Sequence, residues 1–129
     1  MNNVSPRLEL QPGLAQVKGD RILLQQVLMN LITNALEAMK EGAPKILTIR
    51  SSTKTPDMVT VSVSDSGIGI DDTKKDKVFE PFYTTKHDGL GMGLRICQSI
   101  IEEHDGKIWV DNNQGGGATV SFFLKALPQ

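Results

Sequence analysis

Asp65 closes the alternating run MVTVSVSD and opens DSGIGI, so a carboxylate stands at the end of a predicted strand, with Gly67 and Gly69 following at alternate positions. Glycines there let a ligand approach the backbone closely. A carboxylate so placed can accept a charge-assisted hydrogen bond from an exocyclic amine such as that of adenine; guanine presents an oxygen instead and is rejected. Taken alone, Asp-Ser-Gly is more often an ordinary turn leaving a strand.

Three further groups bear on the same chemistry. DGLGMGL holds Gly89, Gly91 and Gly93 directly before a predicted helix, where backbone N–H groups at a helix start form an anion site. Leu94 stands where a dinucleotide fingerprint needs glycine, and no Gly-Lys-Ser/Thr follows, so neither a Rossmann nor a Walker A loop is present. VFEPFYTTKHDG sets Phe79 and Phe82 in a polar loop beside Thr84, Thr85 and Lys86; the rings are expected to anchor a segment that otherwise moves. In LMNLITNALEAM, Asn30 and Asn34 interrupt an apolar run. At about 100° per residue, a stripe of Leu24, Leu28, Leu31 and Ala35 leaves both amides on its shoulder, about 40° apart. Paired amide oxygens suit Mg²⁺, which keeps waters and completes its shell from phosphates.

Other candidates lead elsewhere. Cys97 falls on the apolar face of the second predicted helix and reads as core. His87 and His104 have no nucleophile or metal-ligand constellation around them, and Trp109 reads as core or half-core. QGGGAT, with Gly115, Gly116 and Gly117 before a strand containing Thr119, reads as a hairpin turn.

The elements that must position these residues follow from periodicity. RLEL and AQVKG, separated by QPG, predict a small hairpin or two edge strands. Asp20 is a predicted N-cap for a helix from about Arg21 to Glu41, stopped by Gly42 and Pro44. KILTIRSST and MVTVSVSD predict an antiparallel hairpin around KTPD. From Ser66 to Met92 periodicity fades into a long loop, apart from a short helical turn near Asp76 to Phe79. A helix from about Leu90 to Glu103, with Leu94, Cys97 and Ile101 on one face, is expected to end at Gly106. The strands KIWVDN and ATVSFFL close the chain. The expected architecture is a two-layer α/β sandwich: a mixed, mostly antiparallel sheet of about five strands packed on about three helices.

The 129 residues read as a single domain, 1–129, able to bury a core without staples. Fourteen basic against fifteen acidic residues leave a formal charge of −1, which excludes an electrostatic footprint for nucleic acid or a polybasic membrane patch. One cysteine excludes an internal disulfide and fits a reducing compartment, and no apolar run reaches spanning length, so the domain is expected to be cytoplasmic and free of direct membrane contact.

The order of these motifs is more specific than any one of them: an Asn-bearing helix, a strand ending in D-x-G-x-G, an F-x-P-F-like loop, G-x-G-x-G opening a helix, and a last glycine turn. From about Val17 to Leu124 the chain closely resembles the catalytic, ATP-binding domain of two-component sensor histidine kinases, in the wider Bergerat-fold family shared with DNA gyrase, MutL-type repair proteins and ATPase chaperones. GDRILLQQVLMNLITNALEAM and FEPFYTTK look most like oxygen- and nitrogen-responsive kinases.

The resemblance implies ATP and Mg²⁺ as cofactors, with Asn34 on the metal and Asn30 supporting the phosphate region. It implies that Asp65 binds the adenine amine, that Gly67, Gly69 and Ile70 shape the base pocket, and that Thr119 helps through a water. Phe79 and Phe82 would hold the base of a lid bearing Thr84, Thr85 and Lys86, while Gly89, Leu90, Gly91, Met92, Gly93 and Leu94 would form the phosphate loop. Gyrase-like and chaperone ATPases carry a water-activating glutamate four residues before the metal asparagine; here that residue is Asn30. The chain should therefore hold ATP as a phosphoryl donor and not spend it on water. Many relatives have a basic residue where this chain has Glu37, which leaves Lys86 or Arg95 to meet phosphate charge.

The implied partners are a histidine-bearing dimerisation domain, absent here, and a response regulator receiver downstream; the domain alone is expected to be monomeric and unable to autophosphorylate. A regulatory nucleotide-binding module or an anti-sigma-type serine kinase of the same fold would keep every motif. A dinucleotide-dependent oxidoreductase is disfavoured by Leu94, and a purely structural domain would bind no nucleotide.

Overall fold

The computed structural model describes residues 4–14, 16–39, 44–69, 79 and 93–127. Their elements are β1 (Val4–Leu10), α1 (Arg21–Ala38), β2 (Lys45–Thr55), β3 (Met58–Ser64), α2 (Gly93–Glu103), β4 (Lys107–Asn112) and β5 (Ala118–Lys125). The strands form one sheet in the order β1-β2-β3-β5-β4. β1 runs parallel to β2, and every other pairing is antiparallel. The result is the expected two-layer sandwich, with two helices among the described residues.

α1 begins where its cap can be made. Asp20 is extended, and its Oδ1 accepts from the N–H of Ile22 at 2.9 Å and of Leu23 at 3.1 Å. The cap residue's own N–H donates to His104 Nε2 at 3.0 Å, while His104 Nδ1 lies 2.7 Å from the carbonyl of Ile100. His104 thus ties the start of α1 to the end of α2, a structural task. The helix ends at Ala38, a turn short of the expected Glu41, which lies outside the described residues with Gly42.

Val27, Leu31 and Ala35 form the buried stripe of α1, with Leu24 and Leu28 half-buried beside it. They meet Cys97, Ile100 and Ile101 of α2 and the inward residues Leu47, Val63, Ile108, Phe122 and Leu124 of the sheet. Strand alternation assigns the other face: Ser62 and Ser121 point away from the helices and their hydroxyls bond at 2.9 Å.

The N-terminal expectation needs correction. RLEL is an edge strand, as one of the two expectations had it, but not half of a hairpin with AQVKG: it lies in β1, in parallel register with β2, Leu8 opposite Ile49. Val17 makes a single antiparallel bridge to Ala126 instead. Strand, α1 and strand form a crossover unit, the connection that a parallel pair requires. The turn expected near Asp76 to Phe79 lies outside the described residues except for Phe79.

Leu31 is 1% exposed at the centre of this packing. Leu31→Ala should cost about 2–5 kcal/mol and Asp20→Ala about 1 kcal/mol. Both should appear in urea unfolding as a lower midpoint with an unchanged slope.

Candidate nucleotide-binding site

β3 delivers Asp65 one residue past its last ladder position. The Asp65 N–H donates to the carbonyl of Ala118 at 2.9 Å, and its Oδ1 accepts from the N–H of Gly67 at 2.9 Å and of Ala118 at 3.1 Å. Val63, two residues earlier, is 2% exposed in the core, so alternation turns Asp65 toward the helix layer. A charged acceptor with one oxygen fixed on two backbone donors has a defined plane.

The loop that follows is joined to the end of α1. A Cβ at Gly67 would stand 2.2 Å from the carbonyl oxygen of Ala38, so no other residue permits this approach. The next N–H, of Ile68, donates to that same carbonyl at 3.2 Å, satisfying an acceptor left over at the helix end. Ser66 Oγ accepts from Ile46 N–H at 2.9 Å and lies 3.0 Å from the carbonyl of Pro44. Gly69, at φ 75°, comes up beside Asn112, whose Oδ1 would be 2.9 Å from a Cβ there.

One turn before the end of α1, half-buried Asn34 faces the first residue of α2: its Nδ2 is 3.8 Å from where a Cβ of Gly93 would stand. Along the last turn of α1, Asn34 thus lies beside the start of α2 and Ala38 carries the loop that Asp65 opens. Phe79 packs against Val110 and Ala118, as Leu94 and Val120 do. Among the described residues no cluster of three or more His, Cys, Asp or Glu side chains could hold a metal. An amide oxygen with waters and phosphate oxygens suits magnesium, and Asn34 fits that donor set.

Asn30 lies beside Cys97, which is fully buried and whose Sγ donates to the carbonyl of Val27 at 3.8 Å. Burial pushes the Cys97 thiol up from 9.0 to about 11, partly offset by the Asn30 bond.

Thr119 is not brought to the Asp65 side. It pairs with Ser64, one residue out of phase with the inward pair Val63 and Val120, and so faces away from the helices. Its hydroxyl lies 2.9 Å from Ser64 Oγ and donates to Asn113 Oδ1. Ile70, Phe82, Thr84, Thr85, Lys86, Gly89, Leu90, Gly91 and Met92 lie outside the described residues, as does His87. Arg95 is exposed on α2.

Residues 19–128 match the family described as histidine kinase-, DNA gyrase B-, and HSP90-like ATPase. The chain belongs to this family. It is 45% identical over 124 residues to the sensor protein FixL of Bradyrhizobium diazoefficiens, covering 96% of this chain and 25% of FixL. It is 38% identical to sporulation kinase E of Bacillus subtilis, covering 96% of this chain and 16% of that kinase. The chain therefore spans a quarter or less of the length of these curated relatives. The catalytic domain of histidine kinase ThkA superposes with TM-score 0.82 at 37% identity, over 98% of this chain and 82% of that one. The resemblance read from the motifs and the sandwich architecture are both borne out, and among the described residues no helix is long and apolar enough to cross a membrane.

Within this histidine kinase-type domain, sequence reading passed over Ser66 and Asn113. Both are small polar residues beside glycines in turns, a pattern too common to single out. Cys97 supplies a test of the packing. In the folded domain, iodoacetamide should label it at pH 8 roughly a hundredfold more slowly than in denaturant. A thiol whose folded pKa is raised favours the fold below its unfolded pKa and loses that contribution as pH rises. Stability should therefore fall between pH 9.0 and about 11 in the wild type, with a shallower fall in Cys97→Ala, measured by urea unfolding across that range.

Proposed function

We propose that the domain binds ATP with Mg²⁺ and donates the γ-phosphoryl group to a histidine on a separate dimerisation domain of the same sensor kinase, from which it passes to a response regulator. The observation that carries this reading is Asp65: a carboxylate held at a strand end by two backbone N–H bonds, turned toward the layer that holds Asn34. Two solved relatives point the same way. Full-length ShkA, at 28% identity, was crystallised with AMPPNP, and ThkA with the response regulator protein TrrA.

In this reading the Asp65 carboxylate accepts from the exocyclic amine of adenine, and a guanine oxygen meets repulsion there. Gly67 and Gly69 keep the wall of the base pocket free of side chains. Asn34 contributes its amide oxygen to the metal and lies beside the helix start at Gly93, where main-chain N–H groups suit phosphate. When bound, magnesium supplies charge neutralisation on the triphosphate. The loop residues Phe82, Thr84, Thr85, Lys86, Gly89, Gly91 and Met92 keep the roles that the resemblance implies. Asn30 carries an amide, which cannot act as a general base, so water is not activated at that position.

The phosphate acceptor must come from elsewhere. His104 has one ring nitrogen taking the Asp20 N–H and the other on the Ile100 carbonyl. The 129 residues form the catalytic and ATP-binding domain without the phosphoacceptor bundle, and alone they should not autophosphorylate.

Calorimetric titration should show ATP bound in preference to GTP. Asp65→Asn should lower ATP affinity roughly tenfold or more and flatten that preference, while Asn34→Ala should remove most of the Mg²⁺ dependence. Undiminished, selective binding in both variants would defeat the assignment. Adding a histidine-bearing dimerisation domain should yield acid-labile phosphohistidine; acid-stable phosphoserine on a partner would instead establish the serine-kinase alternative.

A further inference from the structure

Behind Asp65, on the sheet face away from the helices, lies a polar cluster that the proposed reaction does not use. Asn113 Nδ2 donates to the main-chain carbonyl of Asp65 at 2.9 Å and to Ser64 Oγ at 2.9 Å. Its Oδ1 accepts from the Thr119 hydroxyl, which also lies 2.9 Å from Ser64 Oγ. All four residues are half-buried.

We propose that Asn113 is a positioning residue for base recognition: it holds the Asp65 backbone in place from behind the sheet, and Thr119 acts through Asn113, without touching the base. This inference rests on the reading that Asp65 recognises adenine.

The direction of the bonds is determined by chemistry. A carbonyl can only accept, so the Asn113 atom facing the Asp65 carbonyl must be the amide nitrogen. The amide oxygen is then turned to Thr119, whose single hydroxyl hydrogen goes to it. Rotating the amide by half a turn would set two acceptors against each other at Asp65 and leave nitrogen facing the hydroxyl. The Asp65 carbonyl therefore selects the orientation of the amide, and Thr119 and Ser64 hold it there by bonding its oxygen and its second N–H.

The purpose of that donor follows from where Asp65 sits. The ladder between β3 and β5 ends at Ser64 and Thr119, so the Asp65 carbonyl has left the regular strand pairing. Its N–H and its Oδ1 are held by Ala118, which fixes one side of the residue. The Asn113 bond fixes the other. Asn113 is itself anchored, because its N–H donates to the carbonyl of Gly117 at 2.9 Å across the turn. Gly117, at φ 90°, is required there: a Cβ would stand 2.1 Å from the same Asp65 carbonyl oxygen. Turn, amide and carboxylate form one unit, and a change in the amide shifts the carboxylate.

The test uses the 129-residue chain, with ATP and GTP titrated in the presence and absence of Mg²⁺. Asn113→Ala should weaken ATP binding about tenfold and reduce the preference for ATP over GTP by a similar factor, leaving the Mg²⁺ dependence unchanged. Thr119→Val should shift the preference in the same direction, and Thr119→Ser, which keeps the hydroxyl, should restore it. Ser62→Ala, which breaks the Ser62–Ser121 bond on the same face, should leave the preference intact.

A folded Asn113→Ala with wild-type preference would overturn the inference while leaving ATP recognition by Asp65 standing. Equal loss in Ser62→Ala, or no rescue by Thr119→Ser, would reduce the cluster to general sheet stability and overturn it as well. Should Asn113→Ala fail to fold, the Thr119 pair decides the matter. A wild-type chain that binds no ATP removes the proposed function, and this inference with it.

Discussion

The contact on which the site depends is the seat of Gly67 on the last free carbonyl of α1. A helix end leaves carbonyls without partners, and this one is closed by the N–H of Ile68, which can arrive only because Gly67 has no side chain. The contact joins two elements that carry different chemistry. α1 holds Asn34 one turn above its end, and the loop begins with Asp65 at the end of β3. The contact fixes the start of the loop that Asp65 opens against the end of the helix that carries Asn34. Ser66 strengthens it by reaching the start of β2.

The second constraint is the seam between the helices. α1 and α2 meet through Val27, Leu31, Cys97 and Ile101, all nearly or wholly inaccessible. Cys97 serves here as a small apolar residue with a weak polar handle, and that handle is taken by Asn30 and the Val27 carbonyl. An amide on the shoulder of an apolar stripe would otherwise need water. Lying beside the Cys97 thiol, it has a polar neighbour within the seam.

What was legible in the sequence was local. The Asp20 cap, the hairpin of β2 and β3, the burial of Cys97 and the position of Asp65 at a strand end all follow from residues a few places apart. What was not legible depends on distant partners or on which face is which. β1 pairs with a strand some forty residues on, and its exposed Leu8 and Leu10 carry no mark of parallel pairing. Thr119 was carried to the base pocket by resemblance. Alternation determines only that it and Val120 face opposite ways, and the packing of Val120 with the core settles which way.

That correction places Thr119 on the sheet face opposite the helices, with Ser64 and Asn113. In a two-layer sandwich with one open sheet face, residues on the far face are usually regarded as solvent dressing. Here the strand ends just before Asp65, and the main-chain carbonyl of Asp65 is held from the far face by the Asn113 amide. A side chain on the near side would compete with the ligand for space. An amide on the far side holds the backbone and leaves the near side to the carboxylate. The support of Asp65 is thus divided: backbone N–H groups of Gly67 and Ala118 hold its carboxylate, and the Asn113 amide holds its main-chain carbonyl from the far face.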